Sequence, residues 1–222
     1  MRKRKNWPLL PCFLLANLQS LDNKLDELGS RMAFQRDIKF SNVMVFTESF
    51  LDPSISDFII IPKEVSIHCQ DRKINLGKSK GGGVFCMTSN LWCLDVEIIS
   101  SGGSPDLEHL MIRFRPYHIQ RDLTKVLIAA VYIPPNADTN QALEELHVVS
   151  DRTATSRPEA AFIVAGYFNN ATMNNVLPRY HQHISCPLHG GNILDHVYTP
   201  LRDAYKALPL QIRSRLSSVA AL

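Results

Sequence analysis

The hydrophobic and polar positions at the start of the chain predict a strand, a helix and a second strand. An apolar run over residues 12–18 predicts a buried strand, and a similar run over residues 42–47 predicts another. Between them, apolar side chains recur at spacings of four, three and four, which predicts an amphipathic helix over residues 22–36. This order of elements is typical of a βαβ unit and therefore of an α/β fold. The apolar helix positions are Leu21, Leu25, Leu28 and Met32.

Strand-like segments dominate the middle of the chain. Glycine, proline, asparagine or serine separates each segment from the next, which favours an antiparallel meander. One of these breaks, the glycine- and lysine-rich stretch 77–83, lacks the spacing of a phosphate-binding loop and precedes no helix, so we interpret it as a hairpin connection. The segments are 58–61, 65–69, 84–88, 92–99, 107–115 and 125–133.

The second half of the chain contains a helix and a further buried strand. Thr139 is a candidate cap for a helix that continues to about residue 153. Six apolar or small residues then run into Gly166, and polar residues follow at once, which predicts a buried strand that ends in a loop. Open α/β sheets place their chemistry at such strand ends.

The remaining carboxyl-terminal pattern predicts two strands and leaves the tail open. The strands are predicted at 183–186 and 193–199, after no more than one helical turn at 173–177. In the tail, Ile212, Leu216 and residues 219–220 have helical spacing, but the segment is short and rich in small residues. We expect this tail to be helical or poorly ordered.

Composition and charge are those of a globular protein with one main domain. Hydrophobic residues make up 45% of the 222 residues and charged residues 20%, which is enough apolar material for a sizeable core. The net charge of +3 arises from residues 2–5, since without those four the balance is 20 positive against 21 negative side chains. We therefore divide the chain into a basic arm over 1–11, one domain over 12–208 and a divergent tail over 209–222.

The sequence predicts an intracellular protein, nuclear or cytoplasmic. Residues 7–16 resemble a signal peptide, but Pro8 and Pro11 interrupt the apolar stretch and no clear cleavage site follows. No apolar run reaches the roughly 20 residues that cross a bilayer. The five cysteines are odd in number and scattered, which favours free thiols in a reducing compartment.

Four predicted strand ends carry polar side chains that could act together. Asn17, Glu48, Asn169 and Asp195 each follow or begin a buried strand. A carboxylate such as Glu48 on a rigid strand end is a hard oxygen ligand of the kind that Mg²⁺ needs. Each residue taken singly is more often a turn former or a solvated loop residue. Their proximity is a prediction that depends on a shared sheet edge.

Five short motifs in this order resemble the apurinic-type branch of the endonuclease/exonuclease/phosphatase superfamily. The sequence around and between these motifs is similar to the endonuclease domain of LINE-type retrotransposon polyproteins. Examples are residues 16–28, 104–110 and 202–207. The resemblance covers about residues 12–208. The motifs are Asn17-Leu18-Gln19-Ser20, Thr47-Glu48-Ser49, Val131-Tyr132-Ile133-Pro134-Pro135, Gly166-Tyr167-Phe168-Asn169 and Leu194-Asp195-His196.

The resemblance implies a DNase I-like four-layer α/β sandwich, with two mixed sheets face to face and helices outside. It implies that Glu48 binds the divalent metal, that Asn17 supports the metal and the scissile phosphate, and that Tyr132 contacts the phosphate. It also implies that Asn169 orients the attacking water or the phosphate, and that Asp195 orients a catalytic histidine. The implied reaction is Mg²⁺-assisted nicking of DNA, by a monomer that uses no small-molecule cofactor.

Two departures from the family pattern predict a weak or inactive enzyme. Tyr167 stands where the family has a water-orienting aspartate, and a phenol with a pKa near ~10 is neutral at pH 7. The terminal Ser-Asp-His of the family is also missing, because the Asp195-His196 pair matches the earlier motif. An active phosphoesterase that acts on small phosphates would need the intact carboxylate set. The remaining alternative is a non-catalytic module that binds nucleic acid or another partner.

A group of histidine and cysteine residues offers a competing zinc site. His181, His183, Cys186 and His189 are of the right types. Along a strand, however, Cys186 would point away from His181 and His183, and Pro187 turns the chain. We interpret these residues as polar side chains on a surface strand that bind no metal.

Overall fold

A computed structural model describes residues 10–20, 24–49, 64–70, 82–119, 123–174, 176–187, 191–209 and 218–221. The predicted strand at 58–61, residues 77–81 of the glycine-rich break and the tail positions 212 and 216 lie outside these residues. The elements are β1 (Phe13–Asn17), α1 (Leu25–Phe34), α2 (Arg36–Lys39), β2 (Val43–Thr47), β3 (Val65–Gln70), β4 (Val84–Ser89), β5 (Asp95–Gly103), β6 (Glu108–Arg115), β7 (Lys125–Tyr132), α3 (Thr139–Thr155), β8 (Ala160–Tyr167), β9 (His181–Gln182), β10 (Asp195–Thr199), β11 (Leu208–Pro209) and β12 (Ser218–Ala221).

The described strands form two sheets, each mixed in direction. The first has the order β11-β12-β1-β2-β4-β3 and the second has the order β5-β6-β7-β8-β10-β9. The pairs β1–β2 and β7–β8 are parallel, and the other pairs are antiparallel. The predicted βαβ opening is therefore confirmed. The predicted meander is confirmed in part, because β3–β4 and β5–β6–β7 pair antiparallel but the chain passes from the first sheet to the second between β4 and β5.

Three layers of apolar contact hold the sandwich together. The central cluster joins the inner faces of the two sheets, with Phe13 and Val45 from the first sheet and Ile128 from the second. A second cluster packs α3 on the outer face of the second sheet, and a third packs α1 and α2 on the outer face of the first. The helices therefore cover the outside of a two-sheet core, which confirms the four-layer α/β sandwich.

The carboxyl-terminal tail is the main correction to the predicted elements. Instead of a helix, residues 218–221 form β12, which pairs with β1 from Leu14↔Ala221 to Asn17↔Ser218. Without this partner, β1 would leave a row of backbone donors and acceptors unpaired at the edge of the first sheet. The expectation of a helical or poorly ordered tail is therefore wrong for these four residues. The backbone bonds of β12 outweigh the helical spacing of a short segment.

Two smaller differences concern the predicted strands. The strand predicted at 183–186 lies instead at His181–Gln182, and the strand predicted at 92–99 begins only at Asp95, after a turn. The five cysteines all lie in the described part of the chain, and no disulfide joins them. Within the described ranges, no helix has the length and apolar character needed to cross a bilayer.

Deletion of residues 218–222 should lower the melting temperature, because β1 then loses its antiparallel partner. Each net backbone hydrogen bond contributes about 0.5–1.5 kcal/mol, and each kcal/mol shifts the midpoint by roughly 2–4 °C in a chain of this size. Circular dichroism melts of the full chain, the deletion and a control that lacks only Leu222 measure the effect. An unchanged midpoint in the longer deletion would show that β12 is not part of the stable sheet.

Candidate active site

The first sheet contributes Asn17 and Glu48 from neighbouring parallel strands. Asn17 ends β1 directly beside Thr47, the last residue of β2, so the next residue, Glu48, lies at the same edge. Glu48 has a φ of +53°, in the left-handed region that residues with side chains seldom adopt. Its carbonyl accepts a hydrogen bond from Ser20 N–H at 2.8 Å. The loop after β1 therefore helps to hold the backbone of Glu48 in this conformation.

The second sheet contributes Tyr132, Tyr167 and Asp195 from three adjacent strands. Tyr132 ends β7 opposite Tyr167 at the end of β8, and Tyr167 lies opposite Asp195 at the start of β10. The two tyrosine rings stack with centroids 6.3 Å apart at 26°. All three side chains are buried. Parallel pairing of β7 and β8 brings their carboxyl ends to one edge, as the sequence predicts.

A hydrogen bond joins the two sheets at this edge. The Tyr132 hydroxyl donates to Glu48 Oε1 at 3.2 Å. Tyr167 lies in the same group, since it interacts with the charges of Asp195 and Glu48 and with the side chain of Asn17. Glu48, Asn17, Tyr132, Tyr167 and Asp195 are thus brought together in space from five separate parts of the chain.

The electrostatic environment of Tyr167 keeps its phenol protonated. Burial raises the pKa of Tyr167 to about 12, and the negative charges of Asp195 and Glu48 act in the same direction. The hydrogen bond with Asn17 opposes this shift without cancelling it. Tyr167 is therefore neutral at physiological pH and cannot accept a proton from water. It lies near both carboxylates as a neutral aromatic side chain.

Asn169 lies at the same end of the second sheet, in a tight turn after β8. Its φ is +50°, and its side-chain Nδ2 donates to the Ile133 carbonyl at 2.5 Å. The turn is closed by Phe168 N–H, which donates to the Leu194 carbonyl at 2.7 Å. The side-chain amide nitrogen of Asn169 therefore binds the loop after β7 and ties this turn to the end of that strand.

His196 belongs to the outer face of the second sheet. Its Nε2 lies 3.1 Å from the Ile193 carbonyl, and its Nδ1 lies 2.9 Å from the Tyr198 hydroxyl. The ring stacks on Phe168 at 5.0 Å, and burial lowers its pKa. Because side chains alternate along a strand, His196 points away from the face that Asp195 occupies. A neutral imidazole with both nitrogens engaged does not serve as the terminal histidine.

The sequence pattern does not predict that Lys24 and Glu108 are buried at this edge. Lys24 has the position of a residue on the polar face of a helix, yet it is 6% exposed and its ammonium donates to the Leu18 carbonyl. Glu108 begins β6 opposite Tyr132, and its carboxylate is buried against Gly83. The only sequence signal for Glu108 is a charged residue that opens a strongly apolar strand, and its position beside Tyr132 depends on the strand pairing.

The described residues contain no preformed metal cage. Among them, no three histidine, cysteine, aspartate or glutamate side chains form a group that could hold a metal. His183 Nε2 instead pairs with Thr199 Oγ1 at 2.8 Å, while His189 lies outside the described part. A Mg²⁺ ion commonly uses only one or two protein carboxylates together with water and substrate phosphate, and Glu48 is the carboxylate of this edge that could take part.

Several solved structures are similar to this chain over nearly its whole length. D. rerio TDP2 complexed with a single-strand DNA product has a TM-score of 0.62 at 12% identity, over 95% of this chain and 97% of that chain. The 3′-5′ exonuclease NExo from Neisseria meningitidis has a TM-score of 0.59 at 15% identity, over 95% and 98% of the two chains. The AP endonuclease LMAP from Leishmania major has a TM-score of 0.62 at 12% identity, over 95% and 86%.

These likenesses establish the DNase I-like α/β sandwich as the fold of the chain. No protein-family model matches the sequence, and no curated protein matches it significantly. The chain spans nearly the whole length of the similar structures, so the likeness is one of entire domains and not of a shared fragment.

Proposed function

We propose that this chain is a phosphodiesterase-fold protein derived from the endonuclease domain of a LINE-type retrotransposon, in which hydrolysis of DNA is impaired. The observation that carries the proposal is Tyr167, a neutral phenol near Glu48 and Asp195 that stands where the resembled family has a water-orienting aspartate. The motif order along the chain supports the ancestry. The similar structures support the kind of chemistry, since they include an exonuclease and an AP endonuclease.

The residues that agree with the family pattern are those that would bind the metal and the phosphate. Glu48 would hold Mg²⁺ with Asn17 beside it, and Tyr132, already bonded to Glu48, would contact the scissile phosphate. The carbonyl oxygen of Asn169 would orient the phosphate or a water. A bound Mg²⁺ would polarise the phosphate and lower the pKa of a bound water. Single-stranded or nicked DNA is the proposed ligand, and a monomer in the nucleus or cytoplasm is the proposed state.

The site lacks groups that would carry out the chemical step of hydrolysis. A positioned general base typically contributes about 10²–10⁴ in rate, and Tyr167 does not supply one. Asp195 would orient a histidine in the family, yet His196 points to the opposite face of the sheet. The proposed protein therefore binds metal and DNA more effectively than it cleaves. A non-catalytic role in nucleic-acid binding, aided by the basic residues 2–5, is consistent with the same observations.

A titration with Tb³⁺, a hard cation whose emission is sensitised by nearby tyrosines, tests the metal site. We expect an emission signal from Tyr132 and Tyr167 that Mg²⁺ competes away. Glu48→Ala should weaken the binding at least about tenfold, because it removes the main oxygen ligand. Glu144→Ala, which removes an exposed carboxylate of α3, is the matched control. Equal titrations of wild type and Glu48→Ala would contradict the proposed site.

A further inference from the structure

A buried glutamate connects the two sheets at the edge where the candidate site lies. Glu108 is 2% exposed, and its Oε2 accepts a hydrogen bond from Gly83 N–H at 2.6 Å. Glu108 is the first residue of β6 in the second sheet, whereas Gly83 immediately precedes β4 in the first. Hydrogen bonds to a charged acceptor are typically short and about twice as strong as neutral ones. This bond therefore fixes the entry to β4 against the second sheet.

The residue before Gly83 is shaped for this approach. Gly82 has a φ of +85°, and a Cβ atom at this position would overlap the Glu108 carboxylate. A glycine thus provides both the backbone conformation and the space that the carboxylate occupies. Because Gly82 lies in the glycine-rich break that the sequence shows as a hairpin connection, part of this break has a packing role at the site edge.

Gly83 in turn contacts the loop that carries Glu48. The Gly83 carbonyl accepts a hydrogen bond from Ser49 N–H at 3.4 Å, and Ser49 directly follows Glu48. On the other side, Glu108 lies opposite Tyr132 in the strand register, and Tyr132 donates to Glu48. The contacts therefore form a closed circuit from Glu108 through Gly83 and Ser49 to Glu48, and back through Tyr132.

We propose that Glu108 is a positioning residue that holds Glu48 in the geometry in which it binds a divalent cation. This inference rests on the proposed function of the site. Glu48 has a left-handed backbone conformation, which persists only when its surroundings determine it. Ser20 holds one side of Glu48 through its carbonyl, and the Glu108–Gly83–Ser49 contacts hold the other side. Loss of the Glu108 carboxylate releases the second support while leaving every proposed ligand in place.

Three substitutions separate the position of the carboxylate from its charge. Glu108→Gln keeps an oxygen that can accept from Gly83 N–H, Glu108→Asp keeps the charge but shortens the reach, and Glu108→Ala removes both. Ile112→Val is the matched control, since Ile112 lies on the same strand as Glu108 and in the central core, and the substitution removes one buried methyl group. Tb³⁺ affinity and the hydrogen exchange of the Gly83 and Ser49 amides are measured for each variant.

We expect Glu108→Ala and Glu108→Asp to weaken Tb³⁺ binding about 10–100-fold and to speed exchange of both amides, and Glu108→Gln to remain within about threefold of wild type. If Glu108→Ala does not fold, the Tb³⁺ affinity and amide exchange of Glu108→Asp and Glu108→Gln test the inference. The inference is overturned if folded Glu108→Asp binds like wild type, or if Ile112→Val loses as much affinity. If wild type binds no Tb³⁺, the proposed function fails, and amide exchange alone decides whether Glu108 holds the Glu48 loop.

Discussion

Tyr167→Asp combined with Ser218→His should raise the rate of Mg²⁺-dependent DNA nicking by about 10³-fold or more over wild type, whereas Tyr167→Asp alone should raise it by less than about tenfold. A positioned base is worth about 10²–10⁴ in rate, and a preorganised group that stabilises the charge of the transition state about 10²–10³. Such groups act as a unit, so one repair without the other leaves the reaction slow.

The position of the second repair follows from the register of β12. Ser218 lies opposite Asn17, which places residue 218 at the same edge as the candidate site. The family resemblance implies a terminal histidine at the entry to the last core strand, and β12 is the last described strand of the sheet and pairs with β1. Single-turnover nicking of supercoiled plasmid compares wild type, each single variant and the double variant. Tyr167→Asn removes the phenol without adding a carboxylate and serves as the control.

Two results would contradict this prediction. A full rate increase from Tyr167→Asp alone would show that no histidine is needed, and that another group already stabilises the phosphate. A folded double variant that binds Mg²⁺ but nicks no faster than wild type would show that the arrangement of Glu48, Asn17 and Asp195 does not support phosphodiester hydrolysis.

Gly166→Ala should abolish cooperative folding or lower the free energy of unfolding by about 3–5 kcal/mol, the range of severe core substitutions. A Cβ atom at Gly166 would overlap the backbone of Val131 on the neighbouring strand. The obstacle is backbone within a parallel pair and not the end of a flexible side chain, so the two strands would have to separate. Chemical denaturation followed by circular dichroism measures the change.

Gly29→Ala is the matched control for Gly166→Ala. Gly29 lies in α1, and an added Cβ would meet no atom within 4 Å. Alanine is favoured over glycine inside a helix by about 1 kcal/mol, so this variant should be as stable as wild type or more stable. A Gly166→Ala variant that unfolds like wild type would mean that β7 and β8 are not held in the described register.

The strand ends were accessible to sequence reasoning because each apolar run stops abruptly at a polar residue. Asn17, Glu48 and Asp195 follow or begin buried strands, and parallel pairing brings such ends together without any knowledge of side-chain contacts. The α/β class follows from the same runs, because they predict a βαβ opening and further strands, whereas the two-sheet sandwich was implied by the family resemblance. These parts depend on local patterns that a single sequence displays directly.

The tail and the buried charges could not be predicted in this way. The pairing of β12 with β1 depends on an open sheet edge about 200 residues earlier in the chain, and helical spacing within the tail carries no information about that edge. Lys24 has the spacing of a solvated helix residue, although its ammonium is drawn to the Leu18 carbonyl. Glu108 acquires its partner only when β4 and β6 face each other across the core.

The Mg²⁺-dependent nicking rate of the wild-type chain tests the central claim most directly, namely that Tyr167 leaves the site able to bind but not to cleave. Supercoiled plasmid is incubated with purified protein in Mg²⁺ and in EDTA, beside Glu48→Ala. We expect wild type in Mg²⁺ to nick no faster than Glu48→Ala or the EDTA sample. Nicking by wild type that requires Mg²⁺ and disappears in Glu48→Ala would contradict it and show a competent endonuclease site.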